Sequence, residues 1–414
     1  MEIFDAYLED KSTYHFAEEP LSLQSEFFNV TILKAIEQLG GKIDLKPVLV
    51  VSAQILSYAQ FSKFFKGKQK MSEEDKKKFI ENYFAHCGFG KLSMRSISNK
   101  GGHADLNSDH FASAWLKYFG ERTKDHPGVG YFVCGFLCGA IEAMYEVPSG
   151  TFDGKQTQCI SKRDEKSRFE VFRGLRRSLN PSPSFGKQQD EDEPLTDTSG
   201  INDYKIIDLI KNLHLTGLAT NDGMIESFDA TWTKQYANYY PLVMIKLLMQ
   251  AEKKIGKGGV GYIRKIFTEC AEGNAYFILG KVINSKFWEE NITGLLSSDT
   301  NGKWHACLDI MSGFGCGRWE LTEGSSTEYK VNIINNPETN AFLKLVGNTK
   351  APLGYYTGGF LTGIANFIQK NPSPSNIDMD FIEQMKSSKG DISYKEVRSR
   401  MVGSEKDTLM ILVH

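Results

Sequence analysis

A chain of 414 residues exceeds what one hydrophobic core usually supports, so two domains are expected. Hydrophobic residues make up 41% and charged residues 24%, ordinary for a globular protein. Lys+Arg 49 against Asp+Glu 51 leaves a net charge of −2, which excludes a chain-wide attraction to nucleic acid or to an anionic membrane.

The first stretch, "MEIFDAYLEDKSTYHF", lacks both a basic start and an apolar core, so neither a signal peptide nor an anchor is expected. "FFNVTILKAIEQLG" from Phe27 sets an aromatic pair before an apolar stripe at helical spacing and predicts a helix. "GKQKMSEEDKKKF" alternates charge as a solvated helix does, which gives no support to a nucleic-acid role. Gly88-Phe89-Gly90 then predicts a turn opening a strand, with Leu92, Met94 and Ser96 on one face. "GGHADLNSDH" follows as a Gly/Asn/Asp-rich loop leading to another helix. The longest apolar run, "VGYFVCGFLCGAIEAMY" from Val129, is broken by glycines and Glu142. It falls short of the ~20 residues a bilayer requires, so it is expected to be a buried helix and no membrane span is expected. Gly130, Gly135 and Gly139 would let a second backbone approach one face of it. "TFDGKQTQCIS" and "SRFEVF", separated by "KRDEK", read as a hairpin.

The same order then begins again. Gly313-Phe314-Gly315 repeats the first Gly-Phe-Gly turn, "GYYTGGFLTGIA" from Gly354 repeats "GYFVCGFLCGAI" from Gly130, and "YYPLVMIKLLMQAEKKIG" from Tyr239 resembles the helix from Phe27. A fourth match sets "RFEVFR" from Arg168 beside "YKEVRS" from Tyr394. The expected plan is therefore α+β with two tandem homologous domains, residues 1–175 and 204–414, each a small antiparallel sheet packed with helices. Residues 176–203, rich in Pro, Ser and charge, read as a flexible linker. "DTLMILVH" at the C-terminus is β-prone with no counterpart in the first repeat, and an added edge strand is expected there.

A Gly-aromatic-Gly turn into a strand, a helix with "GFxxG" and a terminal hairpin carrying a cysteine resemble the 4-vinyl reductase domain, over roughly residues 20 to 175 and 225 to 400. That domain also occurs in the sensor regions of phenol- and xylene-responsive activators, and its fold is similar to the TRAPP vesicle-tethering subunits and, more distantly, to haem nitric-oxide-binding domains. The resemblance implies an aromatic effector in an apolar pocket beside a zinc held by three cysteines and a glutamate. Carried over residue by residue, those ligand positions fall at Cys159, Ser167, near Gly130, and near Lys155 or Gln156. The second hairpin, placed at "FIEQMKSSKGDISYKEV", has no cysteine. Zinc needs about four donors, so the family's metal site is expected to be lost, with no metal and no cofactor bound.

Several residues carry a sharper and a blander reading. Seven cysteines, an odd number, favour reduced thiols in a cytoplasm over a disulfide framework. Cys134 and Cys138 share a helix face and, with Cys159 and His86 or Cys87, would make a substitute metal site; small buried residues are the preferred reading. Glu142 is expected to face solvent, with orientation of a ligand as the alternative. His103, Asp105, Asp109 and His110 have the residue types of a metal or acid–base cluster, but turn and cap roles are preferred. Neither Gly-Phe-Gly continues into a phosphate-binding fingerprint. "SRFEVFRGLRR", with Arg163, is a positive cluster suited to the acidic "DEDE" of the linker or to an acidic partner.

The expected function is non-catalytic: ligand sensing or regulation in the cytoplasm. The ligand would be small and apolar or aromatic, held between the Gly-spaced helix and the sheet. Phe89, Trp115, Tyr131, Phe132 and Phe136 would line the pocket in the first repeat, and Phe314, Trp319, Tyr355 and Phe360 in the second. The two repeats are expected to pair as an internal pseudo-dimer, with homodimerisation left open. The alternative is a scaffold or adaptor that binds protein alone. Reduction of a vinyl group ranks last, because no nicotinamide or flavin motif is visible.

Overall fold

The computed structural model describes residues 5–9, 11–174, 205–293, 299–349, 353–372, 376–388 and 390–414. The expected linker, 176–203, and its acidic run lie outside the described residues.

In the first half, β1 (Ala6–Leu8), β2 (Thr13–Phe16) and β3 (Glu19–Ser25) precede α1 (Glu26–Glu37), α2 (Leu45–Phe65) and α3 (Glu73–His86). Then come β4 (Leu92–Ser93), β5 (Gly101–Leu106), α4 (His110–Phe119), α5 (Tyr131–Met144), β6 (Phe152–Gln158) and β7 (Ser167–Arg173). The second half opens with α6 (Lys205–Lys211), β8 (Ile225–Ser227) and β9 (Ala230–Tyr236), followed by α7 (Tyr239–Lys254), α8 (Lys257–Ile283), α9 (Lys286–Asn291) and α10 (Thr300–Gly313). It continues through β10 (Arg318–Gly324), β11 (Glu328–Ile334), α11 (Pro337–Leu345), α12 (Tyr355–Lys370), α13 (Met379–Ser387), β12 (Ile392–Arg398) and β13 (Asp407–Val413). Thirteen helices and three antiparallel sheets among the described residues make the fold α+β, as expected.

Two four-stranded sheets have matching order, β4-β5-β7-β6 and β10-β11-β13-β12. The third sheet, β1-β2-β3-β9-β8, is shared: β3 of the first half pairs with β9 of the second, from Leu21↔Tyr236 to Ser25↔Trp232. Both Gly-Phe-Gly turns dock on this join. The carbonyl of Phe314 accepts from Leu23 N at 2.8 Å, and the carbonyl of Cys87 accepts from Lys234 N at 2.9 Å, so each turn bonds a strand of the other half. Gly88 and Gly315 sit at φ +83° and +81°, and a Cβ on Gly88 would lie 2.4 Å from the Trp232 carbonyl oxygen. Each of these glycines directly follows the cap of its helix, Cys87 on α3 and Phe314 on α10, so the counterpart of Gly88-Phe89-Gly90 is Gly315-Cys316-Gly317; Gly313 ends α10, and the expected match with Gly313-Phe314-Gly315 is two residues out of register. A left-handed backbone at both places is what calls for glycine twice.

The Gly-spaced helices do the same job in each half. A Cβ on Gly135 of α5 would lie 2.1 Å from the Val50 carbonyl oxygen on α2, and one on Gly359 of α12 would lie 2.2 Å from that of Thr268 on α8. The opposite side of each helix meets its sheet, where Cys138 Sγ stands 3.1 Å from a Cβ built on Gly154, and the Tyr394 ring covers Gly358. α2 is long and apolar enough to cross a bilayer, with a mean hydropathy of 1.2, yet two thirds of that stretch (67%) is buried against the rest of the fold. It is thus a longer apolar helix than the run from Val129, and its packing against α5 makes it a core helix.

Four local expectations need correction. The strand opened by Gly-Phe-Gly is only Leu92–Ser93, because Arg95 and Ser96 turn the chain. His103 and Asp105 lie on strand β5, not in a loop, whereas Asp109 does cap α4, accepting from Phe111 N and Ala112 N. "DTLMILVH" forms β13 in the interior of its sheet, between β11 and β12. Its counterpart is β7, so "RFEVFR" matches "TLMILV", and "YKEVR" belongs to β12, the counterpart of β6. The join strands β3 and β9 were not anticipated.

Candidate ligand-binding cavities

Two cavities flank the join, at equivalent places in the two halves. The larger, about 40 Å³, is walled by Phe28, Tyr240, Met244, Phe267 and Trp319, together with Glu338 and Tyr356. The smaller, about 20 Å³, is walled by Asn29, Ile32, Leu49, Phe111, Phe132 and Tyr240. Matching helices supply matching positions. Asn29 and Ile32 on α1 correspond to Pro241 and Met244 on α7, Leu49 on α2 to Phe267 on α8, and Phe132 on α5 to Tyr356 on α12. The second residue of α4, Phe111, corresponds to the second residue of α11, Glu338. That last pair changes the chemistry.

Glu338 is held by the helix start it sits on and by the one it faces. Asn336 caps α11 with Pro337 in its first turn, where proline's missing N–H costs no bond. From there the Glu338 carboxyl reaches the first turn of α12, accepting from Tyr356 N and Thr357 N at 3.0 Å each and from Thr357 Oγ1 at 2.7 Å. Burial pushes this carboxyl up and the Thr357 and backbone donors pull it back, leaving it at about 7. The first half contributes Ser22 and Gln24 of β3 and Phe28 of α1 to the same cavity, so its wall is built from both halves. Gln24 Nε2 donates to Ser22 Oγ at 3.0 Å. The Cys316 thiol on the wall is pushed up to about 12 by burial, which leaves it unreactive.

The smaller cavity is lined by Asn29 and by Tyr131, Tyr239 and Tyr240 among apolar side chains. Asn29 Nδ2 pairs with His110 Nε2 at 3.0 Å and donates to Thr233 Oγ1 at 3.1 Å, and its Oδ1 accepts from Tyr240 at 2.7 Å. Burial pushes His110 down to about 4, so it is a neutral imidazole at physiological pH. Nearby, Glu26 accepts from Tyr118 (2.9 Å) and Thr231 (2.8 Å) and pairs with Lys117.

The anticipated pocket residues distribute as follows. Tyr131 and Phe132 line the smaller cavity and Trp319 the larger. Phe89 and Phe136 stand behind Phe132 at ring distances of 4.8 Å and 6.2 Å, and Phe360 stands behind Trp319 at 5.9 Å. Phe314 packs on Trp232 at the join (5.0 Å), Trp115 lies under Arg122, and Tyr355 lies under Arg264. Sequence reading missed Gln24, Tyr240, Met244, Glu338 and Tyr356. A usable signal for Tyr240 and Tyr356 was the repeat itself, since both fall in matched blocks.

The other singled-out residues are structural in their contacts. Glu142 is fully buried, not solvent-facing: it accepts from Gln54 Nε2, Gly150 N and Phe152 N at 2.8–2.9 Å, and burial raises it to about 7. Hydrogen bonds from Arg168, with Lys166 beside it, hold Asp105 well below the usual carboxylate range. Arg163 pairs with Glu121. Cys134 and Cys138 are buried thiols pushed up by burial, and all seven cysteines are free. At the positions carried over from the zinc site, Gly130 N donates to Gln156 Oε1 (2.8 Å) and Ile160 N to Ser167 Oγ (3.3 Å), while Cys159 Sγ lies 3.0 Å from Ser161 Oγ. Among the described residues no group of three or more His, Cys, Asp or Glu could hold a metal ion.

No family model and no curated protein matches the chain. Among solved structures it is similar in part to the phenol-responsive sensory domain of the transcription activator PoxR, in a crystal structure with phenol. That likeness covers 51% of this chain and 92% of that one, at 11% identity and a TM-score of 0.34.

Proposed function

We propose that this chain is a non-catalytic ligand-sensing or regulatory protein of two tandem vinyl-reductase-like domains, acting in the cytoplasm through a protein partner. Its ligand, small and apolar or aromatic, occupies the larger cavity. The observation that carries this reading is that both halves build that wall, Gln24 and Phe28 from one and Glu338 and Tyr356 from the other. A ligand there touches both sides of the join, so its binding energy biases their arrangement, which is the requirement for a sensor. The wall suits binding better than chemistry: both Glu338 oxygens are spent on the start of α12, and the Cys316 thiol stays protonated. At about 40 Å³ the cavity accommodates a few waters. A ring-sized guest enters by displacing Met244, whose unbranched side chain adapts readily. The zinc of the phenol-sensor family has no part in this reading, since the resemblance carries two of its cysteine positions to Ser167 and near Gly130.

The test is thermal unfolding of the full chain with a panel of small aromatics, paired with native mass spectrometry. A guest at about 100 times its Kd should stabilise the fold by about 2.7 kcal/mol, and Met244→Trp, which fills the cavity, should abolish the shift. A panel that leaves the unfolding temperature unmoved overturns the sensor and leaves the scaffold that binds protein alone.

A further inference from the structure

We infer that the larger cavity binds its guest together with a proton, held by a pair of carboxyls, Glu338 and Glu396, at the start of α12. This rests on the reading of that cavity as a ligand site and adds how its affinity is regulated.

Two acids meet this one helix start. Glu396, the fifth residue of β12, accepts from Gly354 N at 3.2 Å, and Glu338 accepts from Tyr356 N and Thr357 N at 3.0 Å each. In the first half both positions are neutral. Gly130 N, the counterpart of Gly354, donates to Gln156, the fifth residue of β6, at 2.8 Å, and Phe111 stands where Glu338 does. Glu338, Tyr356 and Thr357 all line the cavity, so the hydrogen bonds of the Glu338 carboxyl join three residues of its wall. Burial raises this carboxyl, its donors at Thr357 and Tyr356 lower it, and the Glu396 charge raises it again, which leaves it at about 7. Burial raises Glu396 as well. The groups on the surrounding elements are mostly settled at neutral pH. Burial raises Tyr240, Tyr355, Tyr356, Tyr394 and Cys316 and keeps them uncharged. Arg264 on α8 lies over the Tyr355 ring at 4.9 Å, and Arg400, after β12, bonds Asn340. Lys246 on α7, which burial pulls down to about 8, and Asp407 on β13, which burial raises, are the remaining charges on these elements that bear on a pH profile. An uncharged guest displaces water beside the Glu338 carboxyl and disfavours its ionised form further. Guest and proton therefore favour one another: affinity is highest below pH 7 and falls as pH rises past it.

The experiment titrates the full chain by calorimetry with toluene, a guest with no ionisable group, from about pH 5.5 to about pH 8.5. A guest that moves Glu338 by about one pH unit should weaken its own binding about tenfold across that range. Near neutral pH the heats in phosphate and in Tris should differ by the proton that the complex takes up. Glu338→Gln, the uncharged isostere, should bind toluene with the low-pH affinity throughout. Glu396→Gln, which removes the neighbouring charge, should keep the fall and move its midpoint to lower pH. An affinity that does not change with pH, or a fall that survives Glu338→Gln and so belongs to Lys246 or Asp407, overturns the inference and leaves the cavity a ligand site. If toluene binds at no pH, the ligand reading falls and the proton coupling with it. Should Glu338→Gln not fold, the wild-type proton uptake and the Glu396→Gln midpoint still decide.

Discussion

The two cavities were made by one scaffold and finished differently. In the first half, Phe111 and Asn29 line a space of about 20 Å³, and the Asn29 amide bonds His110, Thr233 and Tyr240. In the second, the corresponding residue is Glu338, Asn29 is replaced by Pro241, and about 40 Å³ remains. The two halves share these helices and their glycine contacts, while single positions make one cavity smaller and lined by Phe111 and the other larger and lined by Glu338. A repeat in the fold is therefore no evidence of a repeat in function; the side chains at matched positions have to be compared one by one.

The largest expected effect comes from enlarging the smaller cavity. Phe111 is buried, with Phe89 stacked at 6.0 Å and Phe132 tilted at 5.7 Å. Phe111→Ala should cost about 3–5 kcal/mol in chemical denaturation, and a cost under about 1 kcal/mol would show that the packing of Phe111 does not bound that cavity.

Next is the pH dependence of the second half. Glu338 titrates at about 7 when folded against 4.5 when unfolded, so the folded chain keeps that proton longer. Stability from this group is full below pH 4.5 and is lost as pH rises to about 7, by on the order of 3 kcal/mol. Glu142, raised by burial to the same value, acts in the same window in the first half. Each of Glu338→Gln and Glu142→Gln should reduce the fall in unfolding free energy across that window, and the double variant should reduce it more than either, the remainder belonging to other buried carboxyls that burial raises, such as Glu19 and Asp407. An unchanged slope in either single variant would show that its carboxyl is ionised in the folded state.

The smallest stability effect concerns the join. Burial pushes Asp5 up, but hydrogen bonds and charge from His86 (2.8 Å) and Lys234 (2.7 Å) outweigh it and hold Asp5 at about 2. This depressed acid contributes stability above pH 3.8 that is lost as pH falls toward 2, on the order of 2 kcal/mol. Asp5→Asn should lose it at neutral pH and flatten the acid limb of the stability profile. An acid limb unchanged by the substitution would place Asp5 outside the clamp.

Much of the repeat was visible in the residues. Glycines at positions 135, 139, 359 and 363 announced a helix that lets another backbone touch it, because no other residue type permits that approach, and α2 and α8 are what they touch. The register of the final hairpin was misread because "RFEVFR" and "YKEVRS" are alike in composition; the Glu-Lys pairs at 165–166 and 405–406, at the same point before β7 and β13, hold the true register. Strand β3 went unseen as part of a join because its alternation of apolar Leu21 and Leu23 with polar Ser22 and Gln24 does not encode a distant strand as its partner. In the folded chain the polar face is buried against the other half.

The sequence by itself determined the periodicities: which segments are helices, which are strands, and that the set occurs twice, since these follow from local spacing of apolar and small residues. Tertiary structure alone decided the join and the cavities. Glu338 acts on α12, Gln24 faces a wall made by the second half, and Phe314 bonds Leu23, each across hundreds or tens of residues that no local pattern encodes. Burial and pairing belong to positions in space, and the charge of Glu338 acquires its meaning only there.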